Sequence, residues 1–258
     1  MSHFSTTILG SASATPFNGR FPSAQVLQCG NQLFLIDCGE GTLFRMLNFG
    51  VKPHKISHIF ISHIHPDHYL GIFNLLFNWA MNKRTQPLYI AAPPELKTII
   101  DLQLSLSQIV LPFGLQFIGT DNQSINLVCE TENLTAHSLP LRHSIACTGF
   151  LFTQKQTNLR YAYLTDTTPM PELKPILEQT DLLYHEATYL HNLQEKAEQY
   201  FHSTAQQAAE IAAHYNVKKL ILGHFSARYP NLNPILEEAQ QTFENTALAI
   251  EGTTFEMS

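Results

Sequence analysis

Positive charge is scarce in this sequence. Fifteen lysines and arginines stand against 21 aspartates and glutamates, a formal charge of −6 with a pI near 6.1. That balance speaks against the broad basic surface through which proteins hold nucleic acid non-specifically. Local contact with a phosphate backbone is still open to the short basic clusters Lys52/Lys55, Lys83-Arg84 and Lys218-Lys219, although such pairs are solvated surface on most proteins. Long apolar runs are also missing. No stretch approaches the ~20 residues of a membrane span, and Met1 to Gly10 lacks a basic n-region, an apolar h-region and a cleavage site, so the expectation is a cytoplasmic protein with no membrane partner. Cys29, Cys38, Cys129 and Cys147 form no C-x-x-C pair. They read as small core residues of a reducing compartment rather than disulfides or zinc thiolates. There is no low-complexity tract and no exact repeat, and 258 residues at 44% hydrophobic content suffice for one domain over residues 1–258.

Histidine is abundant, at 13 residues. Three of them fall in His63-Ile64-His65-Pro66-Asp67-His68, directly after the apolar run Ile56 to Ile61. Alternate side chains of an extended segment share a face, so His63 and His65 reach one ion, while the turn at Pro66 sends Asp67 and His68 toward a second position. Three more ligand-type residues end strand-like runs: His143 after Leu139-Pro140-Leu141-Arg142, Asp166 after Leu164-Thr165, and His224 after Leu220-Ile221-Leu222-Gly223. Singly each is weak, since an aspartate after a strand usually caps or turns the chain. Together they make five histidines and two aspartates, enough for two ions with a bridging carboxylate.

The pattern predicts strands at Thr6–Leu9, Gln25–Cys29, Leu33–Asp37 and Ile56–Ile61, then helices at Thr42–Asn48, Tyr69–Met81 and Pro94–Leu104. A second series of strands covers Leu115–Ile118, Ile125–Val128, Leu134–Leu139, Thr148–Phe152 and Arg160–Leu164. Helix Glu172–Gln179, strand Leu182–His185, helix Ser203–Tyr215, strand Lys219–Leu222 and helix Asn233–Phe243 follow. Gly10–Ala24 and Leu190–His202 read as structure-poor loops and candidates for substrate contact. Two sheets face to face, each covered outside by helices, would bury these runs and leave a cleft at one edge. Gly39-Glu40-Gly41-Thr42 lacks the lysine and spacing of a P-loop and reads as a strand-to-helix turn, with Asp37 and Thr42 supporting the site by hydrogen bonds.

At this point the chain resembles the metallo-β-lactamase fold and, within it, the ribonuclease Z group of tRNA 3′-processing endonucleases. The resemblance rests on Leu9 to Pro16, Leu35 to Thr42, the His63 to His68 motif with Gly71, His143-Ser144, Leu164 to Thr167, His185-Glu186-Ala187-Thr188-Tyr189, His202-Ser203-Thr204 and Gly223-His224-Phe225-Ser226-Ala227-Arg228-Tyr229. It implies an α+β, four-layer αββα sandwich. It implies that His63, His65 and His143 bind one zinc, Asp67, His68 and His224 the other, with Asp166 bridging; manganese is an acceptable substitute. It further implies catalytic roles for Asp67, as acceptor of the water proton, and His202, as general acid, with His185 and Glu186 in support, and a homodimer acting on precursor tRNA. Without the resemblance, His202 is equally well the residue before a helix capped by Ser203 with Gln206 at N3. Arg228 and Tyr229 are placed to meet a phosphate or base, or to pack against a loop.

One departure stands out. Short enzymes of this group carry a flexible arm between the positions matching His143 and Asp166, whereas Ser144 to Thr165 holds only two strands and a turn at Gln154 to Leu159. Two other readings therefore stay open: a phosphodiesterase for small or cyclic phosphodiesters, and a non-catalytic RNA-binding protein on the same fold.

Overall fold

In the computed structural model, which describes residues 3–258, two seven-stranded sheets pack face to face; the first two residues of the Met1–Gly10 segment lie outside the described residues. The first sheet contains β1 (Phe4–Gly10), β2 (Ala24–Cys29), β3 (Gln32–Cys38), β4 (Ile56–Phe60), β5 (Leu88–Ala92) and β6 (Leu115–Gly119). The second contains β7 (Asn126–Glu130), β8 (Leu134–Leu141), β9 (Cys147–Gln154), β10 (Arg160–Leu164), β11 (Leu182–Glu186), β12 (Leu220–Gly223) and β13 (Thr246–Leu248). β14 (Thr254–Glu256) returns to the first sheet and pairs antiparallel with β1. The orders are β14-β1-β2-β3-β4-β5-β6 and β13-β12-β11-β10-β9-β8-β7. Each sheet is antiparallel on one side and parallel on the other, through β3 to β6 and β10 to β13.

Alternation along the strands decides what each face buries. Phe34, Ile36 and Phe60 enter the core shared with the second sheet, while Leu35, Ile59 and Ile61 face the helices. Phe60 meets Phe150 and Phe152 across the gap with ring centroids 5.4 and 5.0 Å apart, edge-on geometry that aromatic pairs prefer. The outer layer of the first sheet is α1 (Thr42–Asn48), α3 (Ile72–Met81) and α4 (Pro94–Leu106), after the single turn α2 (Pro66–Tyr69). The second sheet is covered by α5 (Lys174–Leu177), α7 (Ala205–His214) and α8 (Asn233–Gln240), with α6 (Gln194–Gln199) before α7. Ala205, Ala208, Ala209 and Ala212 give α7 a thin buried face that lets it lie close to the sheet. The layers are therefore helix, sheet, sheet, helix, as expected. Among the described residues no helix is long and apolar enough to cross a membrane.

Several element boundaries differ from the sequence reading, each for a local reason. The expected helix Tyr69–Met81 is broken into α2 and α3 at Gly71, which donates to the Cys38 carbonyl at 2.8 Å; a Cβ there would stand 2.1 Å from the Gly39 oxygen. The helix expected from Ser203 starts at Ala205, because Thr204 and Gln207 form the capping box, while the Ser203 hydroxyl donates to the Thr167 carbonyl at 2.7 Å. Glu172–Gln179 is a 3-10 turn, Pro171–Leu173, followed by the short α5. α8 ends at Gln240 rather than Phe243. Leu190–His202 is not structure-poor: it holds a 3-10 turn and α6. β13 and β14 are three-residue strands without a hydrophobic run to announce them.

Candidate metal centre

β4, β8, β10, β11 and β12 run so that their C-terminal ends meet at one edge of the sandwich. The expected ligands lie in the segments following them. Their nitrogens and carboxylate oxygens fall into groups whose members all lie within 4.8 Å of one another: His63, His65, His143 and Asp166 in one, Asp67, His68 and His224 in another. Asp166 faces both. Its Oδ2 lies 3.8 and 3.7 Å from Nε2 of His63 and His143, and its Oδ1 3.4 and 3.2 Å from Nε2 of His68 and His224. Asp166 and His224 adopt positive φ of 43° and 57°. Such backbone costs on the order of 1–3 kcal/mol per residue and persists where surrounding structure holds it.

Whether these residues fit a cation is a question of protons. Nδ1 of His65 lies 3.0 Å from Nε2 of His63 and 3.2 Å from Nε2 of His143. Nδ1 of His143 donates to the Phe201 carbonyl at 3.2 Å, and Nδ1 of His63 bonds Ser62 Oγ at 3.0 Å. Burial lowers the pKa of all three rings, so they are neutral. With the Nδ1 positions of His63 and His143 used, bare Nε2 lone pairs of both rings converge on His65 Nδ1, which has at most one proton for the two, and a cation among the three nitrogens would use all their lone pairs. In the second group burial opposes a charge on His68, but Asp166, Asp67 and Asp37 outweigh it and raise its pKa. Nε2 of His68 and of His224 are buried atoms without a hydrogen-bond partner. The donor set of imidazole nitrogen and carboxylate oxygen is the chemistry of a divalent metal site.

Other residues hold the ligands in place. Asp37, buried at φ 52°, accepts from Ser62 N at 2.8 Å through Oδ1; its Oδ2 accepts from Ser62 Oγ at 3.0 Å, His68 Nδ1 at 2.7 Å and Tyr163 Oη at 2.7 Å. Asp67 Oδ2 accepts the Ala14 amide at 2.9 Å, so the Gly10–Ala24 loop does reach the site. That loop is fixed by Ser13 N to the Phe225 carbonyl, Phe225 N to the Ser11 carbonyl and Arg20 to the Tyr229 carbonyl. Glu186 accepts from His202 Nδ1 at 2.8 Å and from Thr167 N at 2.8 Å.

Some expected contacts are absent. Thr42 does not touch the cluster; its hydroxyl donates to Gly39 O within its own turn. His185 does not reach His202: its ring is bonded to the Glu186 carbonyl at 2.8 Å, and the side chain that orients His202 is Glu186. Arg228 bonds Ser226 and lies over Tyr189, and the Tyr229 hydroxyl accepts from Leu190 N. Lys52 and Lys55 precede β4, at the end of the strand opposite the cluster, and line a cavity of about 300 Å³. Arg84 is buried over Trp79 and Phe113, and Lys218 pairs with Asp181. Ser62, Tyr163 and the Phe201 carbonyl were not legible as site residues, since nothing about a serine, a strand tyrosine or a main-chain oxygen marks it in sequence.

Residues 4–246 match the family described as Anti-Pycsar protein Apyc1. A protein named ribonuclease Z from Parabacteroides distasonis is 34% identical over 299 aligned positions, covering 98% of this chain and 98% of the relative. The chain belongs to the ribonuclease Z family. A second member, from Azobacteroides pseudotrichonymphae, is 36% identical, covering 97% of this chain and 98% of its own. The crystal structure of human tRNase Z, short form, superposes with a TM-score of 0.86 at 28% identity, covering 98% of this chain and 99% of that one. The metallo-β-lactamase fold protein YhfI of Bacillus subtilis, at 20% identity and a TM-score of 0.83, shares the fold. The 299 positions of the first alignment exceed this chain's 258 residues, so that family member carries stretches with no counterpart here. Between His143 and Asp166 this chain has only β9, β10 and a turn closed by Gln154 N to Leu159 O at 2.9 Å.

Asp37→Asn sets an amide against a ring of four donors. It is expected to destabilise the fold by about 2–4 kcal/mol in urea denaturation and to weaken metal retention about 10–100-fold against a chelator. Wild-type values for both would remove Asp37 from the support of the site.

Proposed function

We propose that the protein is a two-zinc phosphodiesterase acting as a tRNA 3′-processing endoribonuclease, which removes the 3′ trailer from precursor tRNA and leaves a 3′ hydroxyl on the tRNA. The observation that carries this reading is Asp166, with one oxygen toward each ligand group, in a chain whose relatives are named ribonuclease Z. His63, His65 and His143 would hold one cation and Asp67, His68 and His224 the other, with Asp166 offering a carboxylate oxygen to each group. Nitrogen and oxygen donors suit zinc and also accept manganese. Two cations held there would supply the charge that acidifies water and offsets that of a phosphodiester.

The chain's own groups handle the protons. Burial opposes ionisation of Asp67, but His68 and His224 outweigh it and hold its pKa below the usual carboxylate range, so it stays an acceptor for the proton of the attacking water. His202 also has an atom within reach of Asp166 and His224, which makes it a rival ligand by distance alone. Its bond to the Glu186 carboxylate suits an acid instead. Burial lowers its pKa, yet Glu186, with Asp166 and Asp67 behind it, raises it to about 9. Glu186 takes Nδ1, leaving Nε2–H to protonate the departing 3′ oxygen.

Phe44 and Leu47 on α1, and Phe77 and Met81 on α3, are 56%, 61%, 51% and 66% exposed. Their i, i+3 and i, i+4 spacing gives each helix an apolar outward face, which supports a homodimer; a monomer by sedimentation at micromolar concentration would refute it. Four buried, unpaired cysteines support a reducing, cytoplasmic setting. The short turn between β9 and β10 favours one second reading: hydrolysis of small or cyclic phosphodiesters, for which no grip on a folded RNA is needed.

Zinc-loaded protein should cut a precursor tRNA beside its acceptor stem, with His65→Ala inactive but folded. Cleavage of bis(p-nitrophenyl) phosphate without any cutting of the tRNA would select the second reading, and normal turnover by His65→Ala would sink the two-metal site. His202→Ala should slow RNA cleavage about 10²–10⁴-fold but spare the activated nitrophenyl ester. Equal losses on both substrates would refute an acid role for His202.

A further inference from the structure

Thr188 follows β11 and is buried, and its hydroxyl oxygen sits among more partners than it has protons. Glu186 Oε2 lies 2.6 Å away, His224 Nδ1 3.0 Å, the His224 carbonyl 3.0 Å and His202 Nδ1 3.5 Å. Thr188 N also donates to Glu186 Oε2 at 3.2 Å. We infer that the Thr188 hydroxyl is a positioning group that fixes the tautomer of His224 as a metal ligand and ties that ligand to the Glu186–His202 pair.

A hydroxyl offers one proton and two lone pairs. Burial opposes ionisation of Glu186, but His202 outweighs it and keeps the carboxylate charged, so Oε2 only accepts. At 2.6 Å it is the shortest and the only charged acceptor around the hydroxyl, and it takes the proton. The opposite assignment would set a lone pair against an anionic oxygen at 2.6 Å. The lone pairs that remain face Nδ1 of His224, which must then carry a proton. His224 is thereby held with Nε2 bare, and Nε2 is the buried atom with no hydrogen-bond partner, 3.2 Å from Asp166 Oδ1 and 3.6 Å from Asp67 Oδ2. Each of the other ligand rings whose Nδ1 is engaged uses a different device: Asp37 for His68, Ser62 for His63, the Phe201 carbonyl for His143. Only the His224 device also bonds the carboxylate that holds His202. Loss of this hydroxyl therefore acts at two places, the retention of one cation and the orientation of the acid.

This inference rests on the two-metal reading. The test compares purified zinc-loaded wild type, Thr188→Val and Thr188→Ser in stepwise removal of zinc by a chelator, with cleavage of precursor tRNA and of bis(p-nitrophenyl) phosphate measured on each. Valine keeps the volume and deletes the hydroxyl; Thr188→Ala replaces it if the valine protein does not fold. The expected result is that one of the two zinc ions leaves the valine protein about 10–100-fold more readily, that its RNA rate falls more than its nitrophenyl ester rate, and that serine restores both. Equal zinc retention in valine and wild type, or a serine protein no better than the valine one, overturns the inference. A wild type that retains no zinc would instead overturn the two-metal reading itself.

Discussion

The carboxylate of Asp37 is the point on which the two sheets and the cluster between them depend. It sits at the end of β3 in the first sheet and accepts from Tyr163 of β10 in the second, from Ser62 at the start of the ligand motif and from the ring of His68. A charge wholly removed from water is tolerable only when its lone pairs are filled by well-placed donors. Here four donors do so, and each belongs to a segment that must be in register for the ligands to converge. The sandwich core of Phe34, Phe60, Phe150 and Phe152 sets the spacing of the sheets, and Asp37 converts that spacing into the position of His68.

A second set of constraints comes from Glu186 and from the Gly10–Ala24 loop. Glu186 links the Thr167 amide and His202, and the Gly10–Ala24 loop links Asp67 and the segment after His224. The ligands are thus held by strand ends and by main-chain groups rather than by long surface side chains. Rigid support of this kind keeps the orientation of imidazoles and carboxylates within the tolerance a metal site requires.

Much of this was legible in the sequence because its physics is local. Short apolar runs bounded by turn residues mark β2, β3 and β4, and the His63 to His68 spacing carries its own geometry through the extended step and the turn at Pro66. The ligands at 143, 166 and 224 were legible only as ends of apolar runs, and their convergence is a property of sheet order, which no window of residues contains. What escaped was decided at a distance or by the main chain: the break at Gly71 follows from the Gly39 carbonyl lying against it, the true helix cap at Thr204 from Ser203 being drawn to Thr167, and the support of His143 from a carbonyl. β13 and β14 are strands because a sheet edge awaits them, not because three residues prefer to be extended.

β14 has a consequence for the order of events in the cell. Its partner β1 is made first, near residue 4, while β14 itself ends at residue 256. Glu251, just before it, accepts the amides of Ser11 and Phe21 and pairs with Arg45, and so anchors the loop whose Ala14 amide reaches Asp67. The opening strand and that loop therefore wait, with one edge unpaired, until β14 has been synthesised. A sheet closed by such distant partners assembles late and slowly, so the loop's support of Asp67 is among the last parts of the cluster to form.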